Sequence, residues 1–254
     1  MLLVLDIGNS QTVIGVFLKE KLLANWRLAT DRRKTVDEYG MMLKSLFANC
    51  NLDPGQIQRA AIANVVPPLT GLFEKVVEKY FSAPVLVVGP GIKTGLSIKM
   101  ENPREIGADL IANAIAGVSI YGPPFIIVDF GTATTFCAVG SSGDYLGGAI
   151  VPGLNIVSEA LFQRAAELPH VPLLKPKNVI GKNTVSAIQS GLVYGYIGLV
   201  EGMIFRIKTE MNCDAKVIAT GGLSELIVGE TKLVNITNPY LTLEGLRLIS
   251  EFNK

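Results

Sequence analysis

Two short stretches of this chain place a carboxylate, a glycine and hydroxyls at one spacing: Asp6-Ile7-Gly8-Asn9-Ser10-Gln11-Thr12 and Asp129-Phe130-Gly131-Thr132-Ala133-Thr134-Thr135. Both fit Asp-x-Gly-x-x-x-Thr, and both lie between apolar runs, so each is predicted to be the turn of a β-hairpin. The glycine lets backbone N–H groups approach phosphate oxygens, and the Ser and Thr hydroxyls add further hydrogen bonds. Asp6 and Asp129, at strand ends, are placed to hold a divalent cation, directly or through water. Neither turn has the Gly-x-x-x-x-Gly-Lys pattern, so the phosphate cradle is of a different kind. Taken singly, either turn also reads as an ordinary hairpin built from turn-favouring residues. Their recurrence half a chain apart points to a duplicated module.

Two further stretches could do chemistry. Thr220-Gly221-Gly222 ends an apolar run, and bare backbone there suits a flat ligand such as an adenine. In Glu105-Ile106-Gly107-Ala108-Asp109-Leu110, the aspartate falls in the first turn of a helix otherwise lined by Ile, Ala and Leu. The helix dipole favours its ionised form there, and such a carboxylate can accept a proton from a substrate hydroxyl.

The elements that must position these groups follow from periodicity. Residues 2–17 read as a tight hairpin and 22–28 as a third strand, followed by a polar loop over 31–35. Tyr39, Met42, Leu43 and Leu46 recur at helical spacing within 36–49. Strand 60–65 stops at Pro67-Pro68, helix 69–80 follows, and strand 85–88 ends at Gly89-Pro90-Gly91. Three strands, helix, strand, helix, strand is the order of a ribonuclease H-like module, after which a helix runs over about 106–118. The second half repeats the order with hairpin 126–139, strand 143–150, a helix after Pro152-Gly153, a long helix 185–211, strand 216–220 and a last helix from Leu243. The expected fold is α/β: two ribonuclease H-like domains, 1–115 and 116–254, with a cleft between them. Gly191, Gly195, Gly198 and Gly202 weaken the long helix by up to about 1 kcal/mol each. Close packing of another backbone is the expected reason for them.

Composition narrows the function classes. A hydrophobic share of 49% with 18% charged residues describes a globular chain rather than a disordered one. A net charge of +1 without a dense Lys/Arg cluster gives no electrostatic case for nucleic acid. Cys50, Cys137 and Cys213 are widely spaced, as expected of reduced thiols in the cytoplasm. The N-terminal apolar run is interrupted at Asp6 before a signal-peptide core forms, and no membrane partner is expected. His170 and Trp26 are expected to be structural.

The two Asp-Gly hairpins with the late Gly-Gly resemble the arrangement of the actin, Hsp70 and sugar-kinase superfamily, which implies ATP held between two domains. More closely, the chain resembles the type III pantothenate kinases from end to end. The shared blocks include Val66-Pro67-Pro68, Gly89-Pro90-Gly91-Ile92-Lys93-Thr94-Gly95-Leu96, Asn102-Pro103 through Asp109, and Gly147-Gly148 through Gly153. Others are Val128 through Phe136, Gly181-Lys182-Asn183-Thr184 with Gln189-Ser190-Gly191, and Thr220-Gly221-Gly222. The resemblance implies phosphorylation of pantothenate by ATP, the first step toward coenzyme A, by a homodimer needing Mg²⁺ and a monovalent cation, K⁺ or NH₄⁺. It implies Asp109 as catalytic base. Asp6, Gly8, Asn9, Ser10 and Thr12 would form one phosphate turn, and Gly131, Thr132 and Thr135 the other. Asp129 would hold the monovalent cation, and Asp6 the Mg²⁺. Gly107, Ala108, Leu110, Met100 and Thr184 would line the pantothenate pocket, Thr184 reaching it from the partner subunit.

Two positions depart from the family pattern. Leu110 stands where an arginine is usual, and Met100 where a tyrosine is common. Both exchanges replace a polar handle with an apolar side chain, which implies weaker pantothenate binding with the ATP machinery intact. They also keep open a kinase for another small hydroxyl compound, or a catalytically weak regulatory paralogue.

Overall fold

A computed structural model describes residues 1–165 and 167–254. In chain order the elements are β1 (Leu2–Ile7), β2 (Gln11–Leu18), β3 (Lys21–Ala29), α1 (Val36–Asn49), β4 (Arg59–Asn64), α2 (Thr70–Phe81), β5 (Val85–Val87) and α3 (Ala108–Tyr121). There follow β6 (Phe125–Phe130), β7 (Ala133–Val139), β8 (Tyr145–Pro152), α4 (Leu154–Arg164), α5 (Thr184–Met211), β9 (Lys216–Thr220), α6 (Ser224–Val228), β10 (Ile236–Thr237) and α7 (Leu241–Phe252).

The chain divides into two compact units, one of residues 1–96, 101–120 and 240–254, the other of 97–100 and 121–239. These do not coincide with the contiguous halves 1–115 and 116–254. Residue 115 lies inside α3, and α7, at the far end of the sequence, packs on the first sheet. The sequence shows that α7 is amphipathic but not which sheet its apolar face covers.

In the first unit the sheet order is β3-β2-β1-β4-β5. The β1–β2 and β2–β3 pairs are antiparallel, and β1–β4 and β4–β5 parallel. Strand β1 is apolar on both faces because both are covered. Leu3, Leu5 and Ile7 join Tyr39, Leu43 and Phe47 of α1 and Phe73, Val76 and Val77 of α2 in one core. Val4 joins Ile111, Ala112 and Ile115 of α3 and Leu243, Leu246 and Ile249 of α7 in another. Trp26 packs at the edge of the first core, its ring 5.5 Å from that of Phe47.

The second unit repeats the order as β8-β7-β6-β9-β10, with the same pattern of antiparallel and parallel pairs. One face of its sheet, through Ile126, Val128 and Phe130, is covered by α5 through Val193, Ile197 and Val200. Among the described residues α5 is the one helix long and apolar enough to cross a membrane, and it buries seven side chains in this core. Its four glycines differ from expectation: a β-carbon on Gly191, Gly195, Gly198 or Gly202 would meet no atom within 4 Å. Among the described residues no other backbone is packed against these positions.

Candidate active site

The two Asp-x-Gly turns are built alike at their glycines. In the first, Gly8 N–H donates to Gln11 O at 3.0 Å; in the second, Gly131 N–H donates to Ala133 O at 3.2 Å. A β-carbon would stand 2.9 Å from Gln11 O at Gly8, and 3.3 Å from Ala133 O at Gly131. The absent side chain thus lets each turn fold over its own carbonyl. Asn9, Ser10, Gly131 and Thr132 are exposed at the tips.

The threonines are not equivalent, although the motif aligns them. Thr12 pairs in register with Ile7, whereas Thr135 pairs with Asp129. The first turn holds one residue more, and a one-residue slip moves a side chain to the opposite face of a sheet. Thr12 is fully buried, with Oγ1 2.9 Å from Thr30 Oγ1. Its counterpart by register is Thr134, also buried and bonded to Tyr196 Oη at 2.6 Å. The Thr12 hydroxyl thus lies beneath the turn, against Thr30, and not at its exposed tip. Thr30, unnoticed in the sequence, completes the brace by donating from Oγ1 to Gly8 O at 2.8 Å.

Thr135 keeps its place beside Asp129. Its Oγ1 is buried and has no hydrogen-bond partner among the described residues. A buried hydroxyl without a partner is unfavourable unless a ligand supplies one. An anionic carboxylate and an unpartnered hydroxyl opposite each other on adjacent strands are hard oxygen donors and fit a cation. No cluster of three or more His, Cys, Asp or Glu side chains exists among the described residues, so a bound cation would draw on hydroxyls, backbone and substrate oxygens.

Two more segments close on the end of β6. Gly221, at φ +90°, lies against Asp129 and Phe130: a β-carbon there would be 2.6 Å from Asp129 Oδ1 and from Phe130 N. This is why the strand ends in glycine, and it brings Gly221-Gly222 beside the second turn. Gly153, the N-cap of α4, donates its N–H to Thr132 O at 3.0 Å, and any side chain on it would collide with the carbonyls of Gly131 and Thr132. The N-terminus of α4 is thereby fixed at the turn, where its dipole favours an anion.

In the first unit, Asp109 stands in the first turn of α3, and Leu110 N–H donates to Asp109 Oδ1 at 2.9 Å. The side chain is half-buried, and burial raises the carboxyl above its ordinary pKa, the backbone N–H groups of Leu110 and of Asp109 itself offsetting part of the effect. Such a group is a stronger base than an exposed aspartate. A short path links it to the first turn. Its carboxylate folds over Gly107, a β-carbon on Gly107 would be 3.7 Å from Val65 Cγ1, and Val65 N–H donates to Ile7 O at 3.1 Å. From the other side α7 fixes α3: Thr242 Oγ1 bonds Asn113 Oδ1 at 2.8 Å, and Gly245 packs directly on Ala112. Ala108 is buried, while Leu110 and Met100 are half-buried. Lys99, next to Met100, donates its N–H to Tyr145 O at 2.8 Å.

Thr184 is elsewhere in the second unit, exposed at the first position of α5 behind the N-cap Asn183. It lines a groove of about 600 Å³ with Leu161, Leu168, Lys182 and Ile188. His170 stacks on Phe162, ring centres 4.6 Å apart, as a packing residue would.

The profile of the type III pantothenate kinases matches residues 2–206. A type III pantothenate kinase of Bacillus cytotoxicus is 53% identical over 253 residues, covering 100% of this chain and 97% of the relative. The chain belongs to the type III pantothenate kinase family. Solved structures agree on the fold alone. A Campylobacter jejuni protein described as a Baf family transcriptional activator superposes with TM-score 0.64 at 20% identity, covering 99% of this chain and 98% of that one. The activator of the 2-hydroxyisocaproyl-CoA dehydratase of Clostridium difficile, solved with bound ADPNP, gives TM-score 0.54 at 12% identity, with 98% and 94% covered. Both sheets of this type III pantothenate kinase family member have the ribonuclease H-like order, and its fold is that of the actin-like ATPases and sugar kinases.

Proposed function

We propose that this chain transfers the γ-phosphoryl group of ATP to the 4′ hydroxyl of pantothenate, opening coenzyme A synthesis. The observation that carries this reading is Asp109. A half-buried carboxylate of raised basicity sits at a helix start, tied through Gly107 and Val65 to the end of the strand that carries the first phosphate turn. In the reaction the hydroxyl proton passes to the Asp109 carboxylate as the hydroxyl oxygen bonds to the γ-phosphorus. The bond from phosphorus to the β–γ bridging oxygen breaks, and ADP leaves with that electron pair. Such a transfer needs positioning and charge neutralisation more than covalent help.

The remaining roles belong to the same proposal. Asp6, Gly8, Asn9 and Ser10 bind phosphate in the first turn, with Thr12 bracing it from below. Gly131, Thr132 and Thr135 bind phosphate in the second, and Gly221-Gly222 receives the adenine. Asp6 would hold Mg²⁺, and Asp129 with Thr135 would hold a monovalent cation; these ions would supply neutralising charge. Gly107, Ala108, Leu110, Met100 and Thr184 contact pantothenate. The open glycine stripe on α5, with Val185, Leu199 and Phe205 exposed on the same helix, supports a homodimer in which a second copy packs there and brings its Thr184 to the pocket. We place the enzyme in the cytoplasm.

The test is ADP release by the purified protein with ATP, Mg²⁺ and K⁺, with and without pantothenate. Turnover that requires pantothenate and disappears in Asp109→Ala supports the reading. ATP binding without turnover at millimolar pantothenate would move the assignment to another small hydroxyl substrate or to a regulatory paralogue, as Leu110 and Met100 allow.

A further inference from the structure

The segment from Thr30 to Lys34, between β3 and α1, runs back against the first Asp-x-Gly turn. Thr30 N–H donates to Ser10 O at 3.0 Å, and Thr30 Oγ1 holds Gly8 O. One residue on, the Asp31 N–H donates to the buried Tyr39 phenol at 2.8 Å, and that phenol donates to Asp31 O at 3.0 Å. The segment is therefore anchored to the turn at one end and to α1 at the other.

Three consecutive cations follow, and they are not alike. Arg33 takes the Asp31 carboxylate through Nε and Nη2 at 3.1 and 3.3 Å, and Lys34 Nζ stands 3.6 Å from its other edge. The Arg33 hydrogen bonds bring the Asp31 carboxyl down to about 2, so it stays ionised and committed to them. Arg32 has no ion pair among the described residues; its Nη2 donates to the side-chain oxygen of Asn9 at 3.0 Å. A neutral amide on the tip of the phosphate turn thus holds an exposed guanidinium whose charge is not neutralised. Arg27 is held in the same way by Gln11 Oε1 at 2.9 Å. Neither Asp-x-Gly turn contains a lysine or arginine of its own, so positive side-chain charge must reach the phosphates from outside the motif. A guanidinium fork with five donors, one of them on Asn9, suits phosphate oxygens better than an ammonium does.

We propose that Arg32 is a phosphate-binding residue of this kinase, its guanidinium bonding the terminal phosphate oxygens of ATP seated on the Asp6–Ser10 turn. The proposal rests on the kinase reading above and deepens it. Arg32 neutralises charge that spreads over the equatorial oxygens as the phosphoryl group moves, while Asn9 sets its position.

The experiment is calorimetric titration of native protein, Arg32→Gln and Arg32→Lys with ATP and with AMP, in parallel with kinase assays. Glutamine can still donate to Asn9 but carries no charge. Loss of a charge-assisted bond lowers ATP affinity about tenfold or more. AMP affinity stays within about twofold, since AMP lacks the phosphates that Arg32 contacts, and lysine restores part of the loss. Unchanged ATP affinity in Arg32→Gln, or equal loss for ATP and AMP, would overturn the proposal; the second result would mean that Arg32 only holds the turn together. A native protein that binds no ATP would overturn the kinase reading itself. Pantothenate-dependent turnover in native protein with Arg32→Gln unaffected would overturn this inference alone.

Discussion

The Asp109 carboxylate lies folded over Gly107, so close that any β-carbon at position 107 would collide with Asp109 Oδ1. The glycine is therefore what lets the carboxylate take this rotamer. Gly107→Ala is expected to push the carboxylate away from its present position without disturbing the sheet. A misplacement of about 1 Å can lower kcat about a hundredfold. A kcat loss with unchanged circular dichroism would confirm the relationship, and native kinetics in Gly107→Ala would refute it.

Burial of Asp109 makes a pH prediction with a definite sign. Its folded-state pKa is raised above the ordinary carboxylate value. The protonated form is thus the one the fold favours, and the stability this group contributes is present below the unfolded pKa and lost as pH rises through the folded one. Two results follow for the native enzyme and Asp109→Asn. The acid limb of native kcat should lie above the range of an exposed aspartate, because activity needs the ionised base. Asp109→Asn should abolish turnover yet unfold at a slightly higher temperature at neutral pH; a lowered Tm would contradict the account.

Thr135 offers a separate test of the cation. Thr135→Val keeps the shape of the side chain and removes a buried hydroxyl that has no partner among the described residues. Without K⁺ the variant should be as stable as the native protein or more so. With K⁺ the native Tm should rise and the variant's should rise less, since a ligand that binds only the folded state stabilises it by mass action. Equal K⁺ shifts in thermal melts of the two proteins would remove Thr135 from the cation site.

Leu110 is half-buried one residue after Asp109. Leu110→Arg is expected to lower the pantothenate KM, by about tenfold for one recovered charge-assisted contact, with the ATP KM unchanged. Steady-state kinetics over both substrates would show it, and an unchanged pantothenate KM would mean that the pocket has adapted to leucine.

Much of the architecture was legible in the sequence because each strand and helix carries its own period. The hairpins at 2–17 and 126–139, the helix at 36–49 and the order of strands and helices along each half need only local patterns. The two residues of β10 are too few to show a period. The destination of α7 is set by long-range packing of Gly245 on Ala112, which no local pattern carries. In the site, glycines and carboxylates were legible by their spacing, but spacing counts residues and not faces. Thr12 and Thr135 share a motif position and stand on opposite faces because one hairpin is a residue longer. Arg32 was hidden because a polar loop has no period, and only the fold shows that it returns to Asn9.

The return of α7 to the first sheet also means that synthesis and completion run in different orders. On the ribosome, β1 emerges long before α7, the layer that clamps the Asp109 helix. Almost all of the second unit, residues 121–239, is meanwhile one uninterrupted stretch and can close as soon as β10 is out. The nascent enzyme should therefore carry a finished second unit beside a first unit that waits, with Val4, Ala112 and Ile115 uncovered, until α7 clears the exit tunnel. Limited proteolysis of a chain ending at 239 should leave the second unit intact and cut the first, whereas uniform resistance would show that the first sheet holds α3 without its last helix.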